Sequence, residues 1–201
     1  MEAMKTRFPA AACALLALLV IGCLPSVHPF YTADDVFFDE KLIGSFADGE
    51  SKTEKDETWR FMKADDNRYQ LEISVAKGEP GKIEVVGQLQ GRLFKLGKHT
   101  CLDLSPDMDL LQDNFSGWYS SGFIPGHLIF KVHGVDDSGL VMSAPEYDWI
   151  GDFLKKNPDS LAHRTENDRL VLIAPTKKLR RFFLEHEGEI WAEPGKMIRQ
   201  K

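Results

Sequence analysis

Cysteine is scarce in this sequence. The chain has 3 cysteines in 201 residues, and they lie far apart at Cys13, Cys23 and Cys101. Small secreted domains that depend on disulfides carry many more, so a disulfide framework is excluded. Stability must therefore come from a hydrophobic core, and the length suits one domain that can bury one.

Positive charge is also in deficit. Lysine and arginine number 25 against 31 aspartates and glutamates, which gives a formal net charge of −6. Phosphate recognition depends on clustered lysine and arginine. Nucleic acid is therefore excluded as the main partner.

Sequence motifs of catalysis are missing as well. There is no Gly-x-Ser-x-Gly elbow, no glycine-rich phosphate loop and no His-Glu-x-x-His, since His186-Glu187 lacks the second histidine. The adjacent pairs Asp34-Asp35 and Asp136-Asp137 are typical of caps and turns rather than of an acid–base pair. The sequence predicts no catalytic residue, no metal and no cofactor, and it favours a protein that is not an enzyme.

Two weaker arrangements stay open. His99, Cys101 and Asp103 alternate along one predicted strand and could meet at a metal, although structural zinc sites need four ligands; a buried free cysteine between polar residues is the alternative. A Ser-His-Asp triad can also be drawn, from Ser121, His127 and Asp136.

Long hydrophobic runs are absent except near the N-terminus. The run from Ala10 to Gly22 follows Lys5 and Arg7. It is shorter than the about 20 apolar residues that a membrane-spanning helix needs. A basic start, an apolar centre and small residues at the exit indicate a secretory signal peptide over residues 1–22.

The end of that run resembles the lipobox of bacterial lipoproteins, in the segment Val20-Ile21-Gly22-Cys23. The resemblance implies cleavage before Cys23 and acylation of this cysteine, including a diacylglycerol on its thiol. Anchoring by two or more acyl chains is effectively stable. The alternatives are an ordinary signal peptide that is cut elsewhere and an uncleaved anchor.

The lipobox resemblance also implies a compartment. The mature protein would be lipid-anchored in the bacterial cell envelope and would face the periplasm or the exterior. Leu24, rather than Asp, follows Cys23, and in a Gram-negative lipoprotein this resemblance favours the outer membrane over the inner one. Cys101 would then be the lone free cysteine, and the net charge would become −7. Residues 23–30, with Pro25 and Pro29, are predicted to be an extended lipidated tether.

Period-two alternation dominates residues 31–193, which are predicted to be a single β-rich domain. Tyr69, Leu71, Ile73 and Val75 alternate with polar residues, as in a half-buried antiparallel strand. Further short strands are separated by turn signals such as Gly97-Lys98. Gly44-Ser45-Phe46 resembles the Gly-x-Trp opening of lipocalin-like barrels, with Phe46 in place of tryptophan.

Helical patterns replace this alternation near the C-terminus. One helix is predicted from Pro145 to Asn157 and another from Pro175-Thr176 to Gly188. Residues 194–201 are predicted to be a tail. The fold class is therefore α+β and mainly β: an antiparallel lipocalin-like β-barrel or curved sheet with two C-terminal helices.

An aperiodic segment, Phe115 to Phe123, interrupts the strands and carries Trp118, Tyr119 and Phe123 among glycines. A segment this long is often functional, and these rings suit a binding surface. The alternative is that they plug one end of the barrel.

A basic helix face is the last candidate, formed by Lys177, Lys178, Arg180 and Arg181. It is interpreted as a solvated face, with contact to anionic lipid as the alternative. The leading hypothesis is a lipid-anchored, non-enzymatic binding or assembly module. Its partners would be the membrane and either an envelope protein or a small apolar ligand. The alternative is an envelope hydrolase with a non-motif active site.

Overall fold

The computed structural model describes residues 24–48, 57–65, 67–76, 83–108, 124–166 and 169–200. Two short 3-10 turns, Ala33–Asp35 and Glu40–Leu42, precede the main strands. The helices are α1 (Tyr147–Lys156) and α2 (Thr176–Glu185). The strands are β1 (Val36–Phe37), β2 (Gly44–Asp48), β3 (Glu57–Lys63), β4 (Tyr69–Ala76), β5 (Ile83–Leu96), β6 (His99–Pro106), β7 (Leu128–Asp136), β8 (Gly139–Ser143), β9 (His163–Glu166), β10 (Arg169–Leu172) and β11 (Gly195–Arg199).

Eight antiparallel strands close into a barrel in the order β5-β4-β3-β2-β11-β8-β7-β6, with β6 pairing back onto β5. Strand β1 adds to β5 beyond the end of β4, where Val36 faces Phe94. The predicted antiparallel lipocalin-like barrel with two C-terminal helices is confirmed, and it is closed rather than an open curved sheet.

The C-terminal residues correct one prediction. The predicted tail over residues 194–201 is wrong for residues 195–199, because these form β11, which lies between β2 and β8 and closes the barrel. Strands β11 and β8 lie very close together at Gly139. A Cβ on this residue, whose φ is 152°, would lie 2.1 Å from the carbonyl oxygen of Met197 in β11. Only glycine fits this position, since it has no Cβ and tolerates the positive φ.

The barrel interior is filled by side chains, as small barrels of this strand number require. Trp59 and Phe61 of β3 point inward together, as do Tyr69 and Leu71 of β4. The remaining buried members are Leu42, Phe46, Leu93, Leu102, Leu104, Phe130, Leu140 and Met142. The alternation of Tyr69, Leu71 and Ile73 in the sequence predicted this inward face of β4 correctly.

A second core covers the outside of the barrel wall. Cys101 and Ile129 face outward from β6 and β7 and pack beneath the two helices. Helix α1 buries Ile150 and Leu154, and α2 buries Leu179, Phe182 and Phe183. The wall formed by β5, β6 and β7 is therefore apolar on both faces, and the helices stabilise the side that would otherwise meet water.

Strand β5 is the longest strand among the described residues, with 14 residues. Its first part pairs with β4 and its last part with β6. Gly91 lies where the two pairings overlap, and a Cβ there would meet Leu104 at 3.3 Å. Glycine in a strand often marks such a barrel corner.

Other local predictions hold. Gly97, with φ 58°, makes the tight turn between β5 and β6. Helix α1 ends before Asn157, whose amide nitrogen and side chain both donate to the carbonyl of Phe153. Among the described residues, no helix is long and apolar enough to cross a membrane.

Candidate functional site

The segment of residues 24–30, here called the strap, is the first described part of the chain and is built into the outer core. Leu24 is 1% exposed and Ser26 is fully buried. Ser26 exchanges two backbone hydrogen bonds with His127, of 2.9 and 2.7 Å. On its other side, Leu172 of β10 donates to Pro25 and accepts from Val27, both at 2.9 Å. The predicted tether at 23–30 is therefore wrong for residues 24–30, which are a paired strand-like element.

A buried carboxylate lies beneath the strap. Asp103 projects outward from β6 and is 2% exposed. Its Oδ1 accepts from His127 Nδ1 at 2.8 Å, and its Oδ2 accepts from the backbone N–H of Phe30 at 3.1 Å. Tyr31 packs edge-on against the His127 ring, and Arg92 lies over Tyr31. Buried charges are tolerated only when paired in this way.

The His127–Asp103 pair has the geometry of a general base held by an acid. An ionised carboxylate only accepts hydrogen bonds, so Nδ1 is the donor to Asp103 and Nε2 is the ring nitrogen that remains for another partner. The His127 side chain is 14% exposed. The same pair also fastens the strap through Phe30, which gives it a structural role.

The possible triad of Ser121, His127 and Asp136 is wrong, because Asp136 is not the carboxylate that bonds His127. Asp136 caps its own turn by accepting from the N–H groups of Ser138 and Gly139. It closes the far end of β7, whereas His127 precedes the start of that strand. Ser121 lies outside the described residues.

The alternating residues of β6 do not converge on a metal. His99 bonds Glu187 at 2.7 Å, Asp103 bonds His127, and Cys101 is buried between them. Hydrogen bonds from Lys98 and His99 lower the pKa of Glu187 to about 2. Burial raises the pKa of the Cys101 thiol to about 12, so it is inert at neutral pH. Among the described residues, no group of three potential ligands could hold a metal ion.

His133 occupies a bulge in β7 and meets a hydroxyl. Its Nε2 lies 2.9 Å from the Oγ of the buried Ser143. Burial, together with the nearby Lys131 and His99, lowers the pKa of His133. The imidazole is therefore neutral at neutral pH, and it has no carboxylate partner among the described hydrogen bonds.

The basic face of α2 is partly structural. Arg180 donates to the carbonyl oxygens of Phe30 and Lys95, and it pairs with Asp35 at 3.1 Å. Arg181 pairs with Glu185 within the helix. Arg180 therefore joins the strap to the barrel wall, whereas Lys177, Lys178 and Arg181 are exposed, as expected for a solvated face.

A shallow cleft of about 200 Å³ opens at one barrel end. Phe37, Leu42 and Val132 contribute apolar surface, and Lys41 and Lys95 contribute charge. Lys95 is already engaged, since it donates to Thr100 at 2.8 Å and lies over the Phe37 ring. The cleft is much smaller than the 300–1,000 Å³ of usual ligand pockets.

The first part of β5 exposes apolar side chains. Ile83, Val85 and Val86 are 70%, 47% and 53% exposed. Their strand pairs with β4 on one edge, but described pairing with β6 begins only at Leu89. This stretch therefore presents exposed apolar side chains next to the point where the described β5–β6 pairing begins, and such surfaces are used in strand addition.

The residues singled out from sequence lie elsewhere. Cys23, Trp118, Tyr119 and Phe123 are all outside the described residues, so the lipobox and the aromatic segment stay predictions. Sequence reasoning missed the strap and its pairing with Asp103. The alternation of His99, Cys101 and Asp103 placed the carboxylate on the same face as Cys101, but it did not indicate the partners of Asp103.

Comparison with protein-family models, with curated proteins and with solved structures gives no match for this chain.

Proposed function

We propose that this protein is a lipid-anchored lipoprotein of the bacterial envelope that acts as a non-enzymatic binding or assembly module. The observation that carries the proposal is the position of the first described core residue. Leu24 is buried and directly follows the lipobox cysteine, Cys23. Cleavage before Cys23 would therefore leave the described core intact and put the acylated residue next to it.

The binding role rests on where apolar surface remains available. The barrel interior is filled by aromatic and leucine side chains, so a ligand inside the barrel is not favoured. The β5 stretch of Ile83, Val85 and Val86 is exposed, and its described pairing with β6 begins only at Leu89. We therefore favour an envelope protein that adds a strand over a small apolar ligand.

Mass spectrometry of the mature protein tests the anchor. We expect an N-terminal Cys23 that carries acyl chains, and we expect Cys23→Ser to be folded but released from the membrane. An unmodified Cys23, or cleavage at another bond, would refute the lipoprotein assignment.

Co-purification from detergent-solubilised envelope tests the binding surface. We expect Val86→Lys to lose a partner that the wild-type protein retains, because the charge interrupts the apolar edge. Ile198→Lys is the matched control, since Ile198 is an exposed apolar residue on β11. Equal retention of partners by both variants would contradict the assignment to β5.

An envelope hydrolase is the second candidate, and the His127–Asp103 hydrogen bond favours it. His127→Gln would remove the base while keeping a polar side chain at the strap. Hydrolysis of a generic ester by the wild-type protein that is lost in His127→Gln, while this variant keeps the circular dichroism spectrum of the folded protein, would support this candidate. Equal hydrolysis by both proteins would reject it.

A further inference from the structure

The strap lies beside the two-stranded sheet of β10 and β9 on the outside of the barrel and is bridged to β10 at Ser26; the three segments together are here called the strap sheet. Pro25, Ser26 and Val27 run parallel to β10, with Ser26 beside Leu172. Strand β9 pairs with the other edge of β10, where Leu172 faces His163 and Arg169 faces Glu166. The strap sheet is therefore continuous from the segment after Cys23 to the β9 edge.

One face of the strap sheet is buried and the other is open. Leu24, Ser26, Leu170 and Leu172 are all at most 5% exposed and point into the outer core. Side chains alternate along strands, so the residues between them point away from the core. That outer face carries Val27, Val171, Ile173, Arg164, Glu166 and Arg169.

The distance from the anchor to this face is short. Leu24 is fixed in the core and Pro25 is hydrogen-bonded to β10, so no free spacer follows Cys23. Two residues span at most about 7 Å of chain. If Cys23 holds lipid at the bilayer surface, the beginning of the strap must lie within about a Debye length of the head groups.

We propose that the outer face of the strap sheet lies on the phospholipid bilayer and orients the barrel on the membrane. This inference rests on the lipid anchor proposed above. Its chemistry fits an interface: Val27, Val171 and Ile173 supply apolar surface. Among the described residues of this face, Arg164 and Arg169 outnumber the one carboxylate, Glu166, and can reach lipid phosphates. The barrel is then held in one orientation rather than swinging on a tether.

Site-directed fluorescence on the full acylated chain tests the orientation. Ile173→Cys would be labelled with a bimane probe and reconstituted into phosphatidylethanolamine–phosphatidylglycerol vesicles that contain lipid with a quencher near the head group. Ile198→Cys is the control, because both isoleucines are 37% exposed and Ile198 lies on β11. The native Cys101 is buried and does not compete for the label.

We expect the probe at Ile173 to lose most of its fluorescence and the probe at Ile198 to lose little. The probe at Arg169→Cys, on the same face, should be quenched as strongly as the probe at Ile173→Cys. This second position shows that the quenching is not specific to one labelled residue. Equal quenching at Ile173 and Ile198 in a protein that floats with vesicles and carries acylated Cys23 would overturn the orientation alone. Failure to float, with unmodified Cys23, would instead refute the anchor.

Discussion

Replacing Leu24 by alanine tests whether the strap is part of the folded core. Leu24 is 1% exposed and packs in the outer core beside β10. Truncation of a buried leucine costs about 2–5 kcal/mol, from lost transfer energy and the cavity that remains. At this chain length each kcal/mol lowers the melting temperature by about 2–4 °C. We therefore expect Leu24→Ala to melt roughly 4–20 °C below its parent.

The control for this experiment is Val27→Ala. Val27 belongs to the same strap but is only half-buried on its outer side. Losing two half-buried methyl groups should cost about 0.8 kcal/mol. Both variants would be made in the Cys23→Ser background and melted by circular dichroism, so that acylation does not affect the transition.

A free tether at residues 23–30 predicts a different result. Neither Leu24→Ala nor Val27→Ala would then change the melting temperature, since neither residue would contact the domain. Equal, small shifts for the two variants would therefore refute the strap as a structural element. They would also remove the short anchor distance on which the membrane orientation depends.

Three further predictions follow from the barrel. Leu71→Ala should cost about 2–5 kcal/mol in chemical denaturation, whereas Glu72→Ala on the outer face should stay within about 0.5 kcal/mol; equal costs would show that the faces are wrongly assigned. The buried Cys101, whose pKa is raised to about 12, should not react with a thiol reagent at pH 8 until the protein is unfolded, and rapid native reaction would contradict its burial. Burial raises the pKa of Tyr69 to about 12 from an unfolded value of 10.0, so its contribution to stability is complete below pH 10 and is lost as pH rises toward 12. Tyr69→Phe should flatten that alkaline loss, and an identical pH profile would count against the assignment.

The inner barrel faces were determined by sequence because they depend on local alternation. A period of two places Trp59 with Phe61 and Tyr69 with Leu71 wherever the strands pair. The helices were equally readable, since Pro145 and Asn157 bracket an apolar pattern of helical spacing. The lipobox that ends at Cys23 is likewise a local sequence pattern, and the lipidation that it indicates stays a prediction.

The closure of the barrel was decided only by tertiary structure. Strand β11 has one inward apolar residue, Met197, so its five residues carry no strand period. Its stability comes from hydrogen bonds to β2 and β8, which are distant in sequence. Gly139 permits that contact, but a turn glycine gives the same sequence signal when no third strand is present.

The pairing of the strap was likewise decided only by tertiary structure. Pro25 and Pro29 indicated an extended backbone, which is correct, but extension alone does not tell a tether from a paired strand. The difference is made by His127, Leu172 and Asp103, whose contacts reach across 73 or more residues. Such pairings depend on which surfaces meet after the barrel closes, and no local pattern in the sequence encodes that.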